Sequence, residues 1–322
     1  MLARRIVPSV MVLFCLAICT GGRAEEPSQE DQKGQFLRLL RDDDKSPVAL
    51  QAAIVRCVPI DCGQTGPTVD LISAVHVGEK SYYDELNRRF EKYDVVLYEL
   101  VAPEGSKIPK EGVGPGTSPV SLLQSGMTRM LELEFQLNGI DYTAENLVHA
   151  DMSPEQFAKS MRTRGESMLQ VFFRMMGYAM ARQNSGLGGS GDLRLLLALF
   201  DENRALAMKR IMAEQFEDME GSLTAVNGPD GSTLITERNK VALEVLRKQL
   251  AAGKQKLAIF YGAGHMSDFE QRLRVDFGLV PIGTEWLVAW DLKAETAETG
   301  EPEASDRPDP VAEEAEAPAT AQ

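Results

Sequence analysis

Short continuous apolar runs alternate along the chain with stripes of helical period, the pattern of an α/β protein. Residues 34–46, GQFLRLLRDDDKS, predict a short helix. LQAAIVRCVPI (50–60) and TVDLISAVHVG (68–78) predict two strands, joined through the turn-rich DCGQTGP as a hairpin. Between residues 81 and 93, Tyr82, Leu86, Arg89 or Phe90, and Tyr93 fall on one helical face. DVVLYELV (94–101) is then apolar on both faces, as a buried strand is. Strand, helix, strand in so few residues implies a right-handed crossover and a parallel pair.

From about residue 109 to 228 the apolar spacing turns to long helical stripes. One of these, SPEQFAKSMRTRGESMLQVFFRMMGYAMARQ, opens on Ser153, Pro154 and Gln156, an N-cap, a first-turn proline and a capping-box partner. The α/β pattern returns with GSTLITERNKVALEVLRKQLAAGK as a capped helix and KLAIFYG as a strand. MSDFEQRLRVDFG follows as a helix, and LVPIGTEWLVAWDL as one strand or a hairpin. The expected architecture is a central mixed, partly parallel sheet flanked by helices, with a helical insertion (109–228) covering the carboxyl ends of the strands.

Both ends of the chain stand apart from this body, residues 25–292. Residues 1–24 carry Arg4 and Arg5, an apolar run to Cys19 and small residues up to Ala24, the pattern of a secretory signal peptide too short to span a bilayer. The mature protein is therefore expected to be exported, periplasmic or extracellular, without a stable membrane span. A lipoprotein anchor at Cys19 is the alternative, disfavoured because Ile18 stands where a small residue is expected. Residues 293–322 hold nine acids against two bases, half of the net charge of −14. With almost no large apolar residue this tail cannot offset its ordering entropy and is expected to be disordered. The body keeps no basic stripe, which argues against nucleic acid as a partner.

Cys57 and Cys62, in CVPIDC, are expected to form a short-loop disulfide in an exported protein. No Gly-x-Ser-x-Gly elbow and no phosphate-binding Gly-x-x-x-x-Gly-Lys loop occurs. What remains is a constellation at strand ends. His76 closes TVDLISAVH, Glu99 comes late in DVVLYELV, and His265 follows KLAIFYG across a Gly-Ala-Gly turn. In open α/β sheets the ligand crevice lies beyond the carboxyl ends of the strands, so all three would face one layer. Two imidazoles and a carboxylate suit a divalent ion (Mn, Co or Zn) with open positions for water and substrate. Glu99 would be its third ligand or the base that activates a water.

Arg238 and Asn239 interrupt the apolar face of the helix after Ser232. In one reading Arg238 only neutralises Glu99; in the other, Arg238 and Asn239 orient Glu99 or grip a substrate oxyanion. His149, just before the Ser153 cap, has a local loop or capping hydrogen bond as its bland role and a substrate contact as the alternative. The Met-rich MLQVFFRMMGYAM is core packing or an adaptable wall for a ligand.

SAVHVG, DVVLYEL, ITERNKVALEVL and LAIFYGAGHMSDFEQRL together resemble the TraB/PrgY/GumN family, which includes the TIKI proteins. Its pattern is two Gly-x-x-His motifs, an intervening strand glutamate and an Arg-Asn pair before the second motif, spread here over about residues 50 to 280. The first motif departs from it, with Ser73 in place of glycine; the second, Gly262 to His265, is intact. The resemblance implies a metal-dependent peptidase acting on exported peptides, with the two histidines and the glutamate as its centre. It also admits a peptide-binding protein without turnover.

Overall fold

The computed structural model describes residues 36–60, 66–103, 105, 106, 108, 131–167, 169–171, 197, 198, 200, 201, 203–227 and 230–293, without side chains for 217–226. The expected signal peptide (1–24), the acidic tail beyond Lys293, Cys62 and most of the Met-rich segment lie outside these residues.

The sheet is mixed and partly parallel, with helices flanking it. β1 (Leu37–Arg41) stands where a helix is expected. Its alternation explains the difference: Leu37 and Leu39 are buried while Arg38 and Leu40 face out, a two-residue period that five residues of helix cannot satisfy. A turn then reverses the chain, with Lys45 in the left-handed region at φ 63° and Asp42 accepting from the Ser46 amide.

β2 (Pro47–Pro59) is the long antiparallel spine. β9 (Leu279–Asp291) pairs with it from Ala49 to Pro59. β1 and β3 (Thr68–Ala74) share the opposite edge, β1 against residues 47–52 and β3 against 54–57. β2 and β3 are thus the antiparallel neighbours the sequence predicts. β9 settles as a single strand, and a register shift at Arg56/Cys57 absorbs its Pro281 and Gly283.

The parallel half has an order that local reading does not reach. β5 (Val95–Tyr98) runs parallel to β3, but β8 (Lys256–Gly262) lies between them and pairs with both. Every residue of β8 after Lys256 is buried, as a strand covered on both faces must be. β7 (Leu147–His149) extends the sheet beyond β5, so the expected helical insertion also contributes a strand. Asn146 anchors it by donating to the carbonyls of Phe90 and Tyr93 at the end of α1 (Lys80–Phe90). A small outlying ribbon joins β4 (Val77–Gly78) to β6 (Glu134–Phe135), which leads into the single turn α2 (Gln136–Gly139).

One expected helix is shorter than its apolar stripe. α3 (Pro154–Thr163) carries the full capping box on Ser153 and Gln156, but Gly165 turns left-handed at φ 65° and stops it. α4 (Arg204–Asn227) packs against β1 and against the turn Ala263–His265. A π-helical turn, Thr233–Glu237, is capped by the Ser232 hydroxyl and continues as α5 (Arg238–Ala251). α6 (Met266–Phe277) ends on Gly278 at φ 65°. Cys57 is fully buried and has no disulfide partner among the described residues, and burial pushes the ionisation of its thiol up to about 12; its expected bridge falls on Cys62, outside those residues.

A candidate metal and hydrolytic site at the strand ends

β3, β8 and β5 lie side by side and parallel, so the segments leaving their carboxyl ends meet at one edge. His76 leaves β3, Glu99 leaves β5 and His265 leaves β8, and the three line one cleft of about 350 Å³ with Arg238. Leu37, Phe216, Leu234 and Ile235 give it an apolar wall. Ser73, at the position the family pattern gives to glycine, is buried with its hydroxyl unpartnered among the described residues.

Glu99, with 11% of its side chain exposed, accepts at Oε1 from Arg238 Nη2 (2.6 Å) and at Oε2 from the Gly262 amide (2.7 Å). Burial raises the pKa of a carboxyl, but the His265 and His76 rings, the Arg238 guanidinium and the Gly262 N–H outweigh it and hold Glu99 at about 2. Gly262 also leaves room beside these groups. A Cβ there would stand 3.3 Å from Glu99 Oε2 and 3.4 Å from His76 Nε2, so the missing side chain leaves a notch that both groups border.

Arg238 is the hub. Its Nε and Nη2 grip Asp151 at 3.0 and 2.6 Å while Nη2 also reaches Glu99. Burial disfavours the guanidinium charge, yet Asp151 and Glu99 outweigh it and push its pKa up. Nη1 is the least committed nitrogen, with two long contacts, 3.4 Å to His265 Nε2 and 3.5 Å to the Leu234 carbonyl. Both open readings of Arg238 thus keep physical content: it neutralises Glu99, and it presents Nη1 to the cleft. Asp151 was not singled out as chemistry by the sequence. Its signal was the rule that selected Glu99, a carboxylate just past an apolar strand, here LVHAD.

Asn239 is fully buried and does not line the cleft. Its amide nitrogen donates to the His265 carbonyl (3.0 Å) and to Asp268 (2.9 Å), both obligate acceptors, so its oxygen must face His265 Nδ1 at 2.6 Å. The His265 proton is therefore on Nδ1, and its bare Nε2 accepts from Arg238 Nη1 at 3.4 Å and lies 3.5 Å from Glu99 Oε1. Burial holds His265 at about 4, against the pull of Glu99, so the ring is neutral at pH 7. His76 is exposed to the cleft, with Nδ1 2.9 Å from the buried Gln136 amide oxygen, a partner the sequence does not reveal. His149 stands apart at the end of β7, its Nε2 bonded to the Leu100 carbonyl and its ring against Tyr98.

The donor set fits a divalent ion in chemistry. Each imidazole has its Nδ1 against an amide oxygen, as metal-binding histidines do. Two carboxylates, Glu99 and Asp151, share the one Arg238 guanidinium. In position the set is open: among the described residues no three His, Cys, Asp or Glu side chains are gathered closely enough to hold an ion as they stand.

No protein-family model, curated protein or solved structure matches the chain. Among the described residues no helix is long and apolar enough to cross a membrane.

Proposed function

We propose that the cleft is the active site of an exported metal-dependent hydrolase, a TraB/GumN-like peptidase acting on a peptide or another small exported substrate. The observation that carries the reading is the pair of carboxylates sharing one guanidinium beside the bare Nε2 that Asn239 fixes on His265. His76, Glu99 and His265 would hold a divalent ion (Mn, Co or Zn), which would polarise a substrate carbonyl as a Lewis acid. A carboxylate held at about 2 is a weak base at neutral pH, so Glu99 serves as a ligand rather than as the base. Arg238 Nη1 would donate to the oxyanion, and Asn239 would act through His265. The apolar wall excludes water and seats an apolar group of the substrate.

A second reading, a sequestering protein without turnover, is favoured by the open spacing of the three donors and by Arg238, which already neutralises part of the site. Metal titration separates the two. Protein purified without chelator or affinity metal is expected to bind one equivalent of Mn, Co or Zn by calorimetry, and His265→Ala to abolish the binding. An inert wild type, or a variant that titrates identically, removes the hydrolase reading.

Gly262→Ala gives a finer probe. Its backbone angles, φ −52° and ψ 142°, suit alanine, so stability should hardly change. The new methyl intrudes between His76 and Glu99, and ion affinity should fall about 10- to 100-fold, as it does when the groups supporting a ligand are displaced. An unchanged dissociation constant would show that the notch is not where the ion sits.

A further inference from the structure

The two cleft histidines are held by amides of opposite character. Asn239 is locked, because its NH₂ faces a carboxylate and a carbonyl, neither of which can donate. Gln136 is not. Its far end meets the Tyr142 hydroxyl at 2.9 Å, and a hydroxyl donates or accepts equally well. With the amide oxygen towards His76, Nδ1 carries the ring proton and Nε2 offers a lone pair to the cleft. With the amide turned over, its NH₂ donates to Nδ1, Tyr142 donates to its oxygen, and the His76 proton moves to Nε2. Both arrangements satisfy every polar atom of the buried Gln136 side chain, and a backbone bond from the Gln136 amide to the His76 carbonyl (2.9 Å) keeps the two residues in register throughout.

We propose that Gln136 and Tyr142 form a reversible clamp that sets which ring nitrogen of His76 is bare, while Asn239 keeps His265 in one tautomer. Glu99 and His265 are then permanent donors 3.5 Å apart, and His76 is a conditional third that joins only when the Gln136 oxygen faces it. The inference deepens the site proposed above by giving its two histidines unequal parts. Gln136 and Tyr142 touch neither ion nor substrate in this arrangement and act by positioning His76.

With three histidines in the chain, ring-nitrogen NMR of the full-length ¹⁵N-histidine-labelled protein reads each tautomer separately at one pH. In the zinc-free protein His265 should show only the Nδ1–H form and His76 both forms. Gln136→Leu should change the His76 ratio and leave His265 untouched, which a merely structural Gln136 would not do. Added zinc should collect His76 into the Nδ1–H form. A single His76 tautomer without zinc, a mixed His265, or a ratio unmoved by Gln136→Leu would each overturn the proposal. If that variant fails to fold, Tyr142→Phe carries the same comparison, and again an unmoved ratio refutes the clamp. Absence of zinc binding would remove the metal reading and leave the zinc-free result standing.

Discussion

Between pH 6.5 and 4 the metal-free protein is expected to lose about 3 kcal/mol of unfolding free energy through His265 alone. The ring titrates near 6.5 when exposed and at about 4 when folded, because burial removes the water that would solvate its charge. In that window the unfolded chain binds a proton that the folded chain refuses, so stability falls as pH falls. Above 6.5 both states hold the ring neutral and the slope vanishes. Urea unfolding in the presence of a chelator, at several pH values, measures the slope in wild type and in His265→Gln. The glutamine variant keeps a polar side chain without a proton to gain and should flatten the curve in this window. Parallel curves for the two proteins would mean that His265 takes up its proton as easily folded as unfolded.

Arg238→Leu is expected to cost about 3–5 kcal/mol at pH 7, the effect of leaving buried carboxylates without their cation. Asp151 has no side-chain exposure and takes two of its bonds from this one guanidinium, and Glu99 loses its shortest partner. Lysine is not a substitute, since the planar fork reaches both carboxylates at once where an ammonium presents a point charge. Acidification gives an internal control. As the stranded carboxyls protonate, the deficit relative to wild type should shrink, and Arg238→Leu with Asp151→Leu should recover part of the loss even at pH 7. A deficit below about 1 kcal/mol at pH 7, typical of exposed pairs, would show that water reaches the cluster freely.

The sequence disclosed elements whose apolar pattern is unambiguous and missed those decided by distant partners. β3, α1, β5, α5, β8 and α6 follow from runs and stripes, and the Ser153 capping box from local chemistry. LRLLR fits either period at that length, so only its pairing with β2 makes it a strand. Nothing local says that a strand about 160 residues downstream enters between β3 and β5. The site divides the same way. His76, Glu99 and His265 were visible because each follows an apolar strand at its carboxyl end. Arg238 was visible because it breaks an apolar helical face. Gln136 gave no such signal, since it lies in a short turn whose stripe reads as ordinary helix, and its role rests on a bond to a residue 60 positions earlier.

The place of β8 between β3 and β5 also governs how the molecule is made. β3 and β5 are close in sequence, yet each draws its bonds from a strand that leaves the ribosome late. Until residues 256–262 arrive, the facing edges of β3 and β5 are open and the turn that carries His265 is absent from the cleft. Such long-range closure is slow, and these facing edges stay unpaired meanwhile. A sheet completed this late leaves the free edges of β3 and β5 open to pairing with other chains until β8 fills the gap.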